Sequence, residues 1–392
     1  MQTERRKGKI IVFGILFWYP LAGVTYQFLH YLIGLRRLGY DAYYVEDSGR
    51  YVYSPKLGDF PEDASDNIAA IAPILEAHGF RDKWAFRGAY EGGQCYGMSE
   101  GQIHQLYRDA DAFLNVTGAQ ELRDEHLAIK RRIYVESDPF KMQALAAQGD
   151  QDVIKMLGEH DTLFSFGENL GAADCTVKID GFQWLPTRQP AAIELWDNPY
   201  NIRRQGEAYN TITTWSNKGR QVVYEGETYY WTKDREFMRV IDLPRRRDVP
   251  FEMATEVGED VKRLLGDNGW RQIGAVPISE DIDRYRAYIQ RSRGEFTVAR
   301  DQYVRPRTGW FSDRSACYLA AARPVITQET GFSKFLPTGK GLFGFSGMDD
   351  VLAAIDEIES DYGGNCRAAR EIADEYFAAE KVVGSLMERA GL

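Results

Sequence analysis

Cysteine is scarce in this chain and never clustered. The four cysteines among 392 residues, Cys95, Cys175, Cys317 and Cys366, stand far apart with no Cys-x-x-Cys pair. That spacing excludes a disulfide framework and a structural zinc site, and it fits a reducing cytoplasm. Long apolar runs are missing as well: no stretch reaches the ~18 apolar residues that a helix needs to cross a bilayer. The start, MQTERRKGKIIVFGILFWYPLAG, is basic and then apolar in the manner of an export signal. Its apolar run is short and aromatic, however, is interrupted by Gly14, and closes on Tyr19-Pro20 without a small-residue cleavage site. It reads as a buried first strand. A P-loop occurs nowhere, and no Gly-x-Gly-x-x-Gly fingerprint follows that strand, which lowers a nicotinamide or flavin reading. Basic residues are the minority: 48 Lys and Arg against 58 Asp and Glu, a formal charge of −10, argue against a general binder of the nucleic-acid backbone. Two stretches reverse the sign locally, Arg245-Arg246-Arg247 and the series Arg286, Arg291, Arg293, Arg300, Arg305 and Arg307. Each reads as a mostly solvated face with one or two arginines turned toward a ligand.

What is present is an alternation of strand and helix signals. Lys9–Leu16 is a continuous apolar run suited to a strand covered on both faces. Val24–Leu38 follows with Phe28, Leu29, Leu32, Leu35 and Leu38 at helical spacing and Gly39 as its stop. Asp41–Val45 is then a second strand, which completes a βαβ unit. Further short β-rich runs at Asp111–Val116, Arg132–Val135 and Thr162–Phe166 each end in a polar turn. In a doubly wound sheet those ends face the ligand crevice, which places Thr117, Glu136, Asp138, Glu168 and Asn169 along one edge. Between Asp174 and Ala208 the texture turns irregular, as expected of a passage between domains. A second series follows: strands at Tyr209–Trp215, Phe251–Thr255, Gln272–Ala275, Glu295–Ala299 and Pro324–Thr327, and helices at Tyr230–Ile241, Gly258–Leu265, Ile282–Gln290, Arg314–Ala322, Met348–Glu359 and Cys366–Met387. The expectation is an α/β protein of two successive domains.

The strongest local signal is Thr308-Gly309-Trp310-Phe311-Ser312-Asp313-Arg314-Ser315, which runs into an Ala-rich helix and then into a strand closed by Thr327-Gln328-Glu329-Thr330-Gly331. Ser312 or Asp313 is a natural N-cap. A helix opened by Ser312, Asp313, Arg314 and Ser315 offers N–H groups, hydroxyls and a guanidinium to a diphosphate. Gly23, between the first strand and the first helix, permits close approach of a ligand or simply makes a tight turn.

The string GWFSDRSACYLAAARPVITQETGF resembles the nucleotide-sugar-binding segment of GT-B glycosyltransferases, in which a glycine-containing loop, an Ala-rich helix and a G-x-P-V-[VI] strand recur. Trp231-Thr232-Lys233, Leu243-Pro244-Arg245-Arg246 and Arg291-Ser292-Arg293-Gly294-Glu295-Phe296 are similar to a bacterial subgroup of that family, and the likeness is most specific over residues 209–347. The resemblance implies two Rossmann-like domains facing a cleft, with boundaries near 1–190 for the acceptor, 191–370 for the nucleotide-sugar, and a C-terminal helix over 371–392 returning to the first domain. It implies sugar transfer from a nucleotide-diphosphate sugar to an acceptor hydroxyl with no metal and no other cofactor. The acceptor is a small molecule, a glycan or a modified nucleic-acid base. A catalytically inactive sugar-nucleotide-binding or partner-binding relative and a sugar-nucleotide epimerase are the alternatives.

The donor residues implied are Asn217, Lys218 and Lys233 for the diphosphate, with Trp310, Ser312, Asp313, Arg314, Ser315, Glu329, Thr330 and Gly331 from the string. Many retaining members carry two glutamates eight positions apart, and here Thr308 or Gly309 and Cys317 stand in those places, so either Glu329 substitutes for the ribose-binding carboxylate or the donor is held differently. A base for the acceptor hydroxyl is sought among Asp138, Glu168 and His30. Trp18 and Tyr19, with Gly23 and Thr117, are the acceptor-side residues, the rings suited to stacking on a sugar.

Overall fold

The computed structural model describes residues 7–55, 57–61, 63–88, 94–197, 208–217 and 219–392. The first sheet is built from β1 (Lys9–Phe13), β2 (Asp41–Glu46), β3 (Trp84–Arg87), β4 (Cys95–Gly97), β5 (Ala112–Val116), β6 (Arg132–Glu136), β7 (Thr162–Ser165) and β8 (Trp184–Pro186), in the spatial order β4-β3-β2-β1-β5-β6-β7-β8. Only the β3–β4 pair is antiparallel. The second sheet is wholly parallel, in the order β13-β12-β9-β14-β15-β16. Its strands are β9 (Tyr209–Ile212), β12 (Phe251–Ala254), β13 (Arg271–Ile273), β14 (Gly294–Thr297), β15 (Val325–Gln328) and β16 (Leu342–Phe345). A separate hairpin of β10 (Val222–Tyr224) and β11 (Glu227–Tyr229) intervenes after β9.

The reason for this layering is visible in the strands. Ile10, Ile11, Val12 and Phe13 are all without exposure, because helices cover both faces of a parallel sheet and leave no side for polar residues. Phe28, Leu29, Leu32 and Leu35 of the helix Ala22–Arg37 join Ile10 and Val12 in one core, and Val383, Leu386 and Met387 of the helix Ala379–Arg389 close the same core from outside. The last helix of the chain thus packs on the first.

In each sheet the strand order reverses beside the first strand in the chain, between β1 and β5 in the first and between β9 and β14 in the second. Such a reversal leaves a crevice beyond the carboxyl ends of the strands, since successive crossovers leave to opposite sides. The two crevices face each other. Tyr26 Oη donates to the Ile282 carbonyl at 3.1 Å and Asn169 N to the Thr308 carbonyl at 3.0 Å. Phe140 and Ala144 share an apolar cluster with Val222, Tyr224 and Tyr229 of the hairpin.

Three expected elements differ. The helix expected over Tyr230–Ile241 is confined to Asp234–Met238, because Trp231 and Lys233 are drawn out into the cleft. The strand expected to reach Trp215 ends at Ile212, where the chain turns to line the same cleft. The single helix expected over Cys366–Met387 is two helices, Tyr362–Ile372 and Ala379–Arg389, parted by a wide π turn at Ala373–Phe377. At that break Ala191 N donates to the Phe377 carbonyl and Ala379 N to the Ala191 carbonyl, at 2.6 and 2.8 Å. The two passages of chain between the halves are therefore hydrogen-bonded side by side.

Candidate active site

Two adjoining cavities, of about 600 and 340 Å³, open where the two crevices meet. Trp231, Lys233, Arg300 and Arg314 line both. The larger is walled from the first half by Ile15, Trp18, Tyr19 and Thr117, which follow β1 and β5, and by Ser137 and Asp138, which follow β6. The smaller is walled by Ile212, Thr213 and Thr214 after β9, by Asn217 and by Glu256 after β12. Apart from Trp231, Lys233 and Arg314, these residues lie at the carboxyl end of a strand of one of the two sheets or in the segment just after it, as the sheet reversals require.

Lys233 sits at the seam. It is 8% exposed, and among the described residues its ammonium has no hydrogen-bond acceptor and no carboxylate partner. Burial, and then the positive charges of Arg314 and Arg300, hold its pKa well below the ordinary lysine value. Two neighbouring polar groups share this condition: Trp231 Nε1 and Thr213 Oγ1 are buried with no partner among the described residues. Buried polar groups in folded proteins are satisfied in the great majority of cases. Two such groups, beside a lysine ammonium with no acceptor among the described residues, mark a place shaped for a polar ligand.

Arg314 is anchored rather than free. It stands in the first turn of the helix Asp313–Ala320 and reaches back under the sheet edge. Its Nε donates to Glu295 Oε1 at 2.6 Å, Nη1 to the Ile212 carbonyl at 2.7 Å and Nη2 to Thr297 Oγ1 at 2.8 Å. Burial alone would lower its pKa, and the Glu295 charge reverses that. Arg300 lies 3.6 Å over the Trp231 ring and donates to Asp138 Oδ1 at 3.1 Å and to Tyr303 Oη at 2.7 Å. Tyr303 in turn donates to Asp138. Trp310 stacks on Tyr303 at 4.3 Å, and its indole N–H crosses to the Ser137 carbonyl at 2.9 Å. Asp313 is the second acid of the larger cavity, and burial raises its pKa.

The aromatic loop is held by one buried acid. Glu46, at the end of β2, accepts from Phe17 N at 2.6 Å and Trp18 N at 3.0 Å. Burial pushes its carboxyl up to about 8 against the pull of those donors. Gly309 (φ +81°) is needed where its loop crosses Asn169, since a Cβ there would lie 2.5 Å from the Asn169 amide nitrogen.

Of the residues singled out in the sequence, Trp18, Tyr19, Thr117, Asp138, Lys233, Trp310, Ser312, Asp313 and Arg314 line the larger cavity, and Asn217 lines the smaller. Lys218 lies outside the described residues. The others are placed elsewhere. His30 is core: it accepts from Trp196 Nε1 at 3.1 Å, and burial lowers its pKa to about 3. Glu168 pairs with Arg188 at 2.5 Å beside Tyr376, in a separate surface hollow. Gly23 makes room for the ring of Tyr285, whose Oη would lie 3.3 Å from a Cβ. Glu329 folds back on its own turn and accepts from Gly331 N, while Thr330 Oγ1 donates to the Trp310 carbonyl. These two and Gly331 brace the Trp310 loop from behind. Ser315 is fully buried beneath the helix start, its hydroxyl unpartnered.

The structure adds Arg300, Trp231, Arg50, Lys141, Arg220, Thr213 and Glu256. Arg300 had a sequence signal, three residues past the end of a strand beside a sheet reversal and inside an arginine-rich stretch. By contrast Arg246 and Arg247 pair at the surface with Asp242 and Asp356. One further cluster, Asp47, Glu125 and His126, brings three potential metal ligands together. Its oxygens are already taken: Asp47 accepts from Arg87 Nε at 2.7 Å and Nη2 at 2.8 Å, from Tyr107 Oη at 2.8 Å and from Arg123. Although burial pulls the other way, the hydrogen bonds from His126 and Arg87 keep Asp47 at about 2. Two guanidinium groups make the place a structural ion-pair network.

The core position of His30 has a measurable consequence. The unfolded chain protonates a histidine near pH 6.5, whereas folded His30 does so only near 3. The unfolded state therefore binds the extra proton first, and His30 withdraws stability as pH falls from about 6.5 toward 3. The imidazole resonances of His30 are expected to stay in the neutral form down to pH 4, and a midpoint near 6 by NMR titration contradicts the assignment.

No protein-family model matches the chain, and no curated protein is similar to it in sequence. Solved structures share its fold. An alpha-glucosyltransferase in complex with UDP and a 13-mer DNA containing a central A:G mismatch aligns over 98% of this chain and 99% of its own, at a TM-score of 0.62 and 8% identity. HepE from Anabaena in complex with UDP aligns over 98% and 99%, at 0.56 and 11%. Sucrose-phosphate synthase from Thermosynechococcus elongatus aligns over 98% and 98%, at 0.54 and 11%. The architecture is GT-B: two Rossmann-like units with parallel sheets facing a cleft.

Proposed function

We propose that this protein is a glycosyltransferase that moves a sugar from a nucleotide-diphosphate donor to an acceptor hydroxyl in the cleft. Residues 191–370 hold the nucleotide, 1–190 hold the acceptor, and 371–392 tie the chain back to the first unit. The observation that carries the reading is Lys233, a buried lysine with no carboxylate partner among the described residues, at the junction of two cavities. The nucleoside occupies the cavity of about 340 Å³, the diphosphate meets Lys233, and the donor sugar and acceptor share the cavity of about 600 Å³. Support comes from the fold neighbours, since the solved alpha-glucosyltransferase and HepE both hold UDP.

In the transfer the acceptor oxygen bonds to the anomeric carbon as the bond from that carbon to the diphosphate oxygen breaks. The electron pair leaves on the diphosphate, and the acceptor proton passes to a carboxylate. Negative charge develops on the leaving group, where Lys233, Arg314 and the N-terminus of the Asp313–Ala320 helix are already fixed in place. These groups supply the positive charge that a divalent ion supplies elsewhere, so no metal enters the scheme. Asp313 and Asp138 are the two carboxylates within the cavity. The raised pKa of Asp313 suits a general base.

The test is calorimetric titration with UDP, TDP, GDP, ADP and CDP, followed by turnover of the matching glucose donor. One nucleotide is expected to bind and its sugar conjugate to be consumed faster with acceptor than without. Failure of all five to bind overturns the proposal. Equal consumption without acceptor points instead to an epimerase or a hydrolase.

A further inference from the structure

The lining of the larger cavity runs against the charge of the whole molecule. The chain carries −10, yet among the described residues this cavity presents Arg50, Lys141, Arg220, Lys233, Arg300 and Arg314 against two acids, Asp138 and Asp313. Arg300 and Arg314 are matched by Asp138 and Glu295. Arg50, Lys141, Arg220 and Lys233 form no ion pair with any described residue. A donor diphosphate brings about two negative charges, in the manner of any doubly esterified pyrophosphate. It therefore satisfies two of these four.

Their origin decides which two. Lys233 and Arg220 come from the half that carries β9 to β16, beside the smaller cavity, and Arg220 lies 5.7 Å from the Trp231 ring. Arg50 and Lys141 come from the opposite wall, after β2 and after β6. Arg50 lies over the Trp18 ring at 4.6 Å, and the Trp18 ring leans on Tyr19 at 4.9 Å and an interplanar angle of 35°. That wall offers aromatic faces for a sugar ring together with two cations unmatched by any acid among the described residues. Arg gives a forked donor for an oxyanion, and Lys adds a point charge.

We propose that the acceptor is a small anionic sugar, bearing a phosphate or a carboxylate, bound by Arg50 and Lys141 against the Trp18 and Tyr19 rings. The inference rests on the glycosyltransferase reading above and names its acceptor class. A nucleic-acid acceptor fits less well, because such binding spreads over many phosphates on a basic surface, whereas the unmatched charge here is concentrated in one cavity.

The experiment uses the full chain, with and without saturating UDP, titrated with glucose 6-phosphate, glycerol 3-phosphate, glucuronate, glucose and a short DNA duplex. The charged sugars are expected to bind about tenfold or more tighter than glucose. Which of phosphate and carboxylate binds better identifies the source of the charge. Arg50→Gln and Lys141→Gln each weaken the charged sugar about tenfold and leave the UDP affinity unchanged. Both side chains are exposed, so the variants fold, and an unchanged melting temperature checks it. Glucose binding as tightly as its phosphate, or either substitution leaving the charged sugar unaffected, overturns the proposal. DNA binding more tightly than every sugar overturns it in favour of nucleic acid. If UDP does not bind, the glycosyltransferase reading fails by itself, and the difference between charged and neutral sugars without UDP still decides this one.

Discussion

Replacing Lys233 with methionine is expected to weaken UDP binding roughly ten- to hundredfold and, at the same time, to raise the stability of the free protein. The first effect follows from a lost charge-assisted contact to the diphosphate. The second follows from burial: an ammonium taken out of water without a carboxylate still costs several kcal/mol after relaxation, and methionine fills the same volume with no such cost. A gain of about 1–3 kcal/mol is expected by urea denaturation. The pH dependence has a definite sign. Burial holds folded Lys233 below its unfolded pKa, so the unfolded state binds the extra proton. Stability of the free wild type should therefore rise with pH, from the folded pKa up to the unfolded value of about 10.4. The diphosphate favours the ammonium, so binding takes up a proton and weakens as pH rises. Calorimetry in buffers of different ionisation enthalpy reads that uptake directly. A variant that destabilises the free protein, or that keeps both UDP affinity and proton uptake, removes Lys233 from the donor site.

Glu295→Ala is expected to destabilise the fold by about 3–5 kcal/mol, because it strands the Arg314 guanidinium in the interior. Glu295 is without exposure and Arg314, at the cavity edge, is only 13% exposed by side chain, so water replaces little of the lost partner. The same pair can be dispensed with if both members go. Glu295→Leu combined with Arg314→Met should recover most of the loss, since apolar replacement of a buried pair is often neutral or better. It should not recover UDP binding, because the helix start then lacks its cation. Denaturation midpoints of the two single variants and the double variant form a cycle that isolates the coupling. A single-variant cost below about 1 kcal/mol would place the pair among surface bridges, which contribute little.

Much of this site is legible in the chain because strand ends are legible. β1, β5, β6, β9 and β14 announce themselves as short apolar runs, and the residues just beyond them, Trp18, Thr117, Asp138 and Arg300, are where the cleft lies. The string from Trp310 to Arg314 stands out for the same reason. What the sequence hides is direction. Arg314 invites a diphosphate by its position at a helix start, yet most of its donors are spent on Glu295, Thr297 and the Ile212 carbonyl, partners 17 to 102 positions away. Glu329 sits at a strand end but closes its own turn on Gly331. His30 has the spacing of a helix face that could meet a ligand, and only the packing of Trp196 on it shows otherwise. The break at Ala378 has no glycine or proline to announce it. Its cause is Ala191, nearly two hundred positions earlier.

The pairing of Ala191 with the 377–379 segment is a single parallel bridge of two hydrogen bonds between the two linking passages. Such a bridge holds the two passages against sliding, because sliding breaks both of its hydrogen bonds. The chain's two crossings between the halves therefore act as one crossing point, bound to each other as well as to the halves they join.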